Sequence, residues 1–170
     1  MPLAQLFLPE FDAEMISTRC LLECVPDGKS TWQPHEKSMS LGCLAAHVAQ
    51  LAGRAEAVFA HDEWDPRPPG SAVQPLVLDS RAQLLELFEE GRQRARAALA
   101  GTSDADFGKS WTMKRGGTPM YTGARLDAYR RIAMNHLVHH RAQLGVYLRL
   151  LGVAIPGMYG PSADDLAKSR

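Results

Sequence analysis

The chain has 170 residues, 45% of them apolar and 22% charged, with 19 Lys plus Arg set against 19 Asp plus Glu. That length suffices for one domain, spanning 1–170, with a core of its own. The zero formal charge gives no electrostatic reason to expect nucleic acid or an anionic membrane as a partner, and no run approaches the ~18 apolar residues that a membrane span needs.

The N-terminus, "MPLAQLFLPEFDAEM", lacks the basic start and small-residue cleavage site of a signal peptide. The three cysteines, Cys20, Cys24 and Cys43, are odd in number and fall in helical patterns. They suit a reducing compartment better than a disulfide framework, so a cytoplasmic location is expected.

The first helix is expected over about 5 to 24, with Pro9 in or near its first turn, and ends before the turn formers "VPDGKS". A second helix opens after Ser40, a candidate N-cap, and runs to about Ala60. Its apolar residues Leu41, Leu44, Val48, Leu51, Ala55, Val58 and Phe59 are spaced by three and four. The proline-rich "HDEWDPRPPGS" ends it. A third helix begins at Asp79 or Ser80, presents Leu84, Leu87, Phe88, Gly91, Ala95, Ala98 and Leu99 on one face, and stops at Gly101. The arginines of "RQRARAALA" read as its solvated side. In "FGKSWTMKRGGTPMY" the period changes around Gly116–Gly117, and both a short β-hairpin and a plain loop fit. The fourth helix covers about Ala124 to Leu151 and stops at Gly152; a short amphipathic helix follows Pro161. The fold class is therefore all-α, a four-helix bundle with long crossover connections and room for a β-hairpin before the last long helix.

Half of the six histidines lie in "HLVHHRAQL". On a wheel with His136 at zero, Leu126, Tyr129, Ala133, Leu144, Tyr147 and Leu151 cluster around about 50°. His140 falls at about 40°, His139 near about −60° and Arg141 near about 140°. His136 and His140 then point inward one turn apart, a spacing that lets two imidazole nitrogens converge on one ion. A buried neutral imidazole needs partners for both nitrogens, and a divalent cation takes one lone pair from each ring. The alternative is a pair of core histidines bonded to backbone, hydroxyl or water.

Two ligands rarely hold a catalytic ion, and three is the usual protein contribution. His35 and His61 sit in turn-rich segments, whereas His47 lies inside the second helix among Ala45, Ala46 and Ala49. His47, His136 and His140 are the candidate metal ligands. Gln143 returns to about −20°, beside them, and can orient a water or a ligand's carbonyl, whereas Arg141 points off the wedge, where pairing with an acidic residue of a neighbouring helix is the main reading and a supporting role at the site the alternative. Cys43, four residues before His47, is a candidate fourth ligand or nucleophile, or a small thiol filling space. Leu137 stands where the zinc peptidase motif H-E-x-x-H places its general base, which argues against a peptidase.

Two stretches, "STWQPHEKSMSLGCLAAHVAQL" and "NHLVHHRAQLGVYLRLLGVAIPGMYGPSADD", resemble the DinB/YfiT-like superfamily over nearly the whole chain. The resemblance implies a four-helix bundle with crossover connections, often a homodimer. It also implies a divalent metal, commonly nickel or zinc with iron as a further option, held by three histidines that map onto His47, His136 and His140. Members include transferases and isomerases that use low-molecular-weight thiols. The expected function is a metalloenzyme that activates water or a small thiol, a hydrolase or a thiol S-transferase acting on a small-molecule substrate. The alternatives are a non-catalytic, metal-stabilised stress-response or binding module, and a metal-free histidine network.

Overall fold

The computed structural model describes residues 1–168 and is mostly helical, with a small three-stranded sheet. Helix α1 (Leu3–Leu22) runs through Pro9, and its first backbone N–H is capped by the Asp104 carboxylate at 2.7 Å. Helix α2 (Leu41–Leu51) starts where Ser40 accepts a hydrogen bond from the Cys43 N–H. Leu41, Gly42, Leu44, Ala45, Ala46, Val48, Ala49 and Leu51 are all buried, so α2 is covered almost all round, packing on α1 and on elements later in the chain.

The expected single rod from 41 to 60 is corrected to two pieces. Ala52 and Gly53 bond back to the carbonyls of Ala49 and Gln50, a tightened last turn, and α3 (Arg54–Ala60) comes next. Helix α4 (Arg81–Ala100) explains the break. A Cβ on Gly53 would lie 3.1 Å from the Gly91 Cα of α4, so two glycines let the α2–α3 joint press backbone against backbone. Asp27 rather than Ser80 caps α4, accepting from the Arg81 N–H at 2.6 Å. Arg92, Arg94 and Arg96 pair with Glu89, Glu56 and Asp12.

The segment before the last long helix settles the choice between hairpin and loop, and adds a small sheet to the mostly helical fold. After α5 (Asp104–Phe107), strands β2 (Ser110–Arg115) and β3 (Thr118–Ala124) form an antiparallel hairpin. Its turn residues Gly116 and Gly117 both have positive φ, 61° and 80°, the conformation that a tight hairpin demands. Strand β1 (Glu63–Trp64) adds in parallel to β2. Trp111 is fully buried and donates its indole N–H to the Ala57 carbonyl, pinning the hairpin to α3.

The last long helix is not uniform either. A short α6 (Arg125–Ala128) passes into a π-helical turn (Tyr129–Met134) and then α7 (Asn135–Leu150). One extra residue in such a turn rotates the residues before it by about 100° relative to those after it. The inward wedge near 50° averaged residues from the two sides of this turn. In α7 the buried residues are Leu137, Arg141, Leu144 and Leu148, which lie at about 100°, 140°, 80° and 120° on the same wheel. The core face is thus centred near about 110°, and the π turn swings Tyr129 onto it. Helix α7 ends in a Schellman motif: Gly152 (φ 73°) and Val153 donate to the carbonyls of Arg149 and Leu148. Helix α8 (Ala163–Lys168) lies after Pro161 as expected. No helix among the described residues is long and apolar enough to cross a membrane.

Candidate metal centre

Shifting the core face to about 110° leaves His136 and His140 on its shoulder rather than at its middle. There they meet α2, which packs on α7 and presents His47 to them. All three rings are half-buried, and their ligand atoms lie within 4.8 Å of one another. His47 Nε2 is 3.4 Å from His136 Nε2, and His136 Nε2 is 3.0 Å from His140 Nε2. Three nitrogens sharing one ion at about 2.0–2.1 Å would stand about 2.9 Å apart at right angles and about 3.3 Å apart at tetrahedral angles. The two short separations fit that range.

The outer nitrogens decide what the inner ones offer. His140 Nδ1 lies 2.7 Å from the Gln143 side-chain oxygen, and His136 bonds to the Ile132 carbonyl, which belongs to the π turn. Each acceptor takes an Nδ1 proton, so a neutral ring keeps a bare lone pair on Nε2. Two lone pairs then face each other at 3.0 Å. A proton shared between them would need an imidazolium, and the surroundings disfavour one. Burial, then the charges of its histidine neighbours and of Arg54, push His47 down to about 4. His136 is lowered to about 4 by burial, then by His140 and Arg54. Burial also lowers His140. The donor set is therefore three neutral imidazoles with converging lone pairs, the chemistry that suits a borderline divalent cation.

The other residues singled out in the sequence take distinct places. Gln143 stands beside the histidines, where its side-chain oxygen meets His140 Nδ1. Arg141 does not face the histidines: its side chain is buried in the core, pairing with Glu14 of α1 at 2.6 Å and bonding to Thr18 and Tyr159. The ion-pair reading holds, while its position off the inward wedge is corrected, because the core face lies where Arg141 points. Cys43 is not part of the gathered ligand atoms, and burial pushes its thiol up, away from the thiolate form. His35, His61 and His139 are exposed. Arg125 clamps the end of α3 through Asp62 and the carbonyls of Phe59 and His61.

Arg54 is the residue that sequence reasoning missed. On α2, only Cys43, His47 and Gln50 escape full burial, and they share one strip. Ala52 and Gly53 keep right-handed helical φ and ψ, so Arg54, seven residues after His47, continues that strip. Its guanidinium carbon stacks 3.9 Å from the centre of the Trp64 ring. The seven-residue spacing was the available signal.

A profile of the DinB family matches residues 2–170. The uncharacterized protein YrdA of Bacillus subtilis is 25% identical over 166 residues, covering 95% of this chain and 91% of its own. Among solved structures, a DinB-like protein from Bacillus cereus aligns with a TM-score of 0.67 at 20% identity, over 90% of this chain and 95% of that one. YjoA, a DinB-like protein from Bacillus subtilis, also aligns at 0.67, with 18% identity over 89% and 96%.

Proposed function

This chain belongs to the DinB family, and from that premise we propose that it is a metalloenzyme holding one divalent ion, nickel or zinc, on His47, His136 and His140. The helices are read as that family's four-helix bundle, with the hairpin as an elaboration of one crossover. The observation that carries the metal is the approach of His136 and His140 Nε2 to 3.0 Å while both rings have their outer nitrogens engaged. Three protein ligands leave coordination positions for a substrate, and the half-buried rings make them reachable from solvent.

When bound, such an ion supplies Lewis acidity that turns water or a thiol into a nucleophile near neutral pH. The chain's own part is to hold three neutral rings in register. Gln143 fixes the His140 tautomer, and the Ile132 carbonyl fixes that of His136. The reaction class is hydrolysis or thiol S-transfer on a small-molecule substrate, with a low-molecular-weight thiol as the co-substrate in the second case. Its free cysteines suit a reducing, cytoplasmic setting, and a homodimer is the proposed assembly.

The test is turnover by tag-free protein reconstituted with zinc or nickel. Small thiols plus an electrophile, and separately model esters and amides, should give a rate that His136→Ala abolishes. Full metal occupancy with no turnover on either substrate set would favour a metal-stabilised binding or stress-response module instead. Absence of bound metal would leave the metal-free histidine network.

A further inference from the structure

We propose that Arg54 is an anion-recognition residue of this site, and that the ligand taken up beside the three histidines carries a carboxylate. The inference rests on the metal reading above. It begins with a charge imbalance. The three imidazoles are neutral, and a divalent ion on them would bring two positive charges. Arg54 adds a third, seven residues or about two helical turns after His47. Among the described residues no Asp or Glu joins the three histidines in their gathered set of ligand atoms. Neighbouring arginines differ: Arg92, Arg94 and Arg96 each have an acidic partner.

A cation placed beside a cation site weakens metal binding unless something negative joins them. Burial already disfavours the Arg54 charge, lowering it to about 10, and among the described residues it makes no ion pair. Its flat face lies over the Trp64 ring. Stacking occupies the flat side of a guanidinium and leaves its N–H edge free, and that edge matches a planar carboxylate through two parallel hydrogen bonds. Cys43, His47 and Gln50 form the open side of an otherwise buried α2, and the half-buried Arg54 follows at the start of α3, so an incoming molecule meets the ligand histidine and the guanidinium together. Arg54 is thus a specificity-determining residue for ligands with a nucleophilic or metal-seeking end and a carboxylate a few bonds away.

The test compares 3-mercaptopropionate with 3-mercapto-1-propanol, which share the thiol and chain length and differ in the carboxylate. Binding to zinc-loaded, tag-free protein is measured by calorimetry, with zinc content determined in every sample. The wild-type chain should bind the acid at least about tenfold more tightly, the worth of one charge-assisted hydrogen-bonded pair. Arg54→Met, which keeps the stem against Trp64, should bring the ratio to about one without loss of zinc, and Arg54→Lys should retain part of it. Equal affinities in the wild-type chain, or an unchanged preference in a zinc-loaded Arg54→Met chain, overturn the inference and leave the metal reading intact. A wild-type chain without zinc removes both. If Arg54→Met does not fold, the wild-type ratio and Arg54→Lys decide.

Discussion

Replacing Glu14 by alanine tests the assignment of Arg141 to the scaffold rather than to the metal. The Arg141 side chain is 2% exposed and that of Glu14 14%. The guanidinium reaches the Glu14 carboxylate at 2.6 Å, its backbone carbonyl at 3.0 Å, Thr18 at 3.2 Å and the Tyr159 hydroxyl at 2.8 Å. Tyr159 in turn donates to the same carboxylate at 2.9 Å. Glu14→Ala removes the counter-ion and an acceptor but leaves three neutral acceptors. Breaking a buried pair costs about 3–5 kcal/mol. The surviving acceptors and the partial exposure of Glu14 place this case at the lower end, about 3 kcal/mol. For a chain of this size that is a fall in Tm of roughly 6–12 °C. Thermal melts followed by circular dichroism read it, with metal content measured in parallel. Glu14→Leu combined with Arg141→Met should lose less than Glu14→Ala alone, because no charge is left stranded. A fall below about 1 kcal/mol, or loss of metal from a chain that stays folded, would refute the assignment.

Gln143→Ala should weaken metal binding by about 10- to 100-fold without changing stoichiometry, since it frees the ring that Gln143 orients; competition with a chromophoric chelator measures this. The metal-free chain should hold a constant Tm above about pH 7 and lose stability as pH falls from about 6.5. His47 and His136 protonate at about 4 when folded, so the unfolded state takes up protons first, and melts between pH 5 and 7 should lose most of this slope in His47→Asn/His136→Asn. Tyr129 is fully buried with its hydroxyl unpartnered among the described residues. Tyr129→Phe should therefore raise stability by about 1 kcal/mol, a gain that urea denaturation resolves.

The features that were legible in the sequence are those with local causes. Ser40 caps α2 because its hydroxyl satisfies an orphan N–H three residues on, and Gly152 ends α7 because only glycine takes its φ cheaply. The gathering of His47, His136 and His140 is legible from one i, i+4 pair and one histidine among alanines. What escaped depended on tertiary structure. The π turn leaves no periodic mark, yet it changes the register between the residues before and after it, and the α7 core face takes in Arg141 rather than the histidines. The break between α2 and α3 comes from Gly91 on a different helix as much as from Gly53. Arg54 carries no local mark in the sequence; the burial of α2 on its other sides singles out the strip that leads from His47 to it.

X-ray absorption at the metal edge of tag-free, reconstituted protein tests the three-histidine centre most directly. The predicted spectrum shows one metal per chain with three imidazole nitrogens at about 2.0–2.1 Å and lighter oxygen or nitrogen scatterers completing the shell. A sulfur shell at about 2.3 Å, which would bring in Cys43, or fewer than three imidazoles, would contradict it.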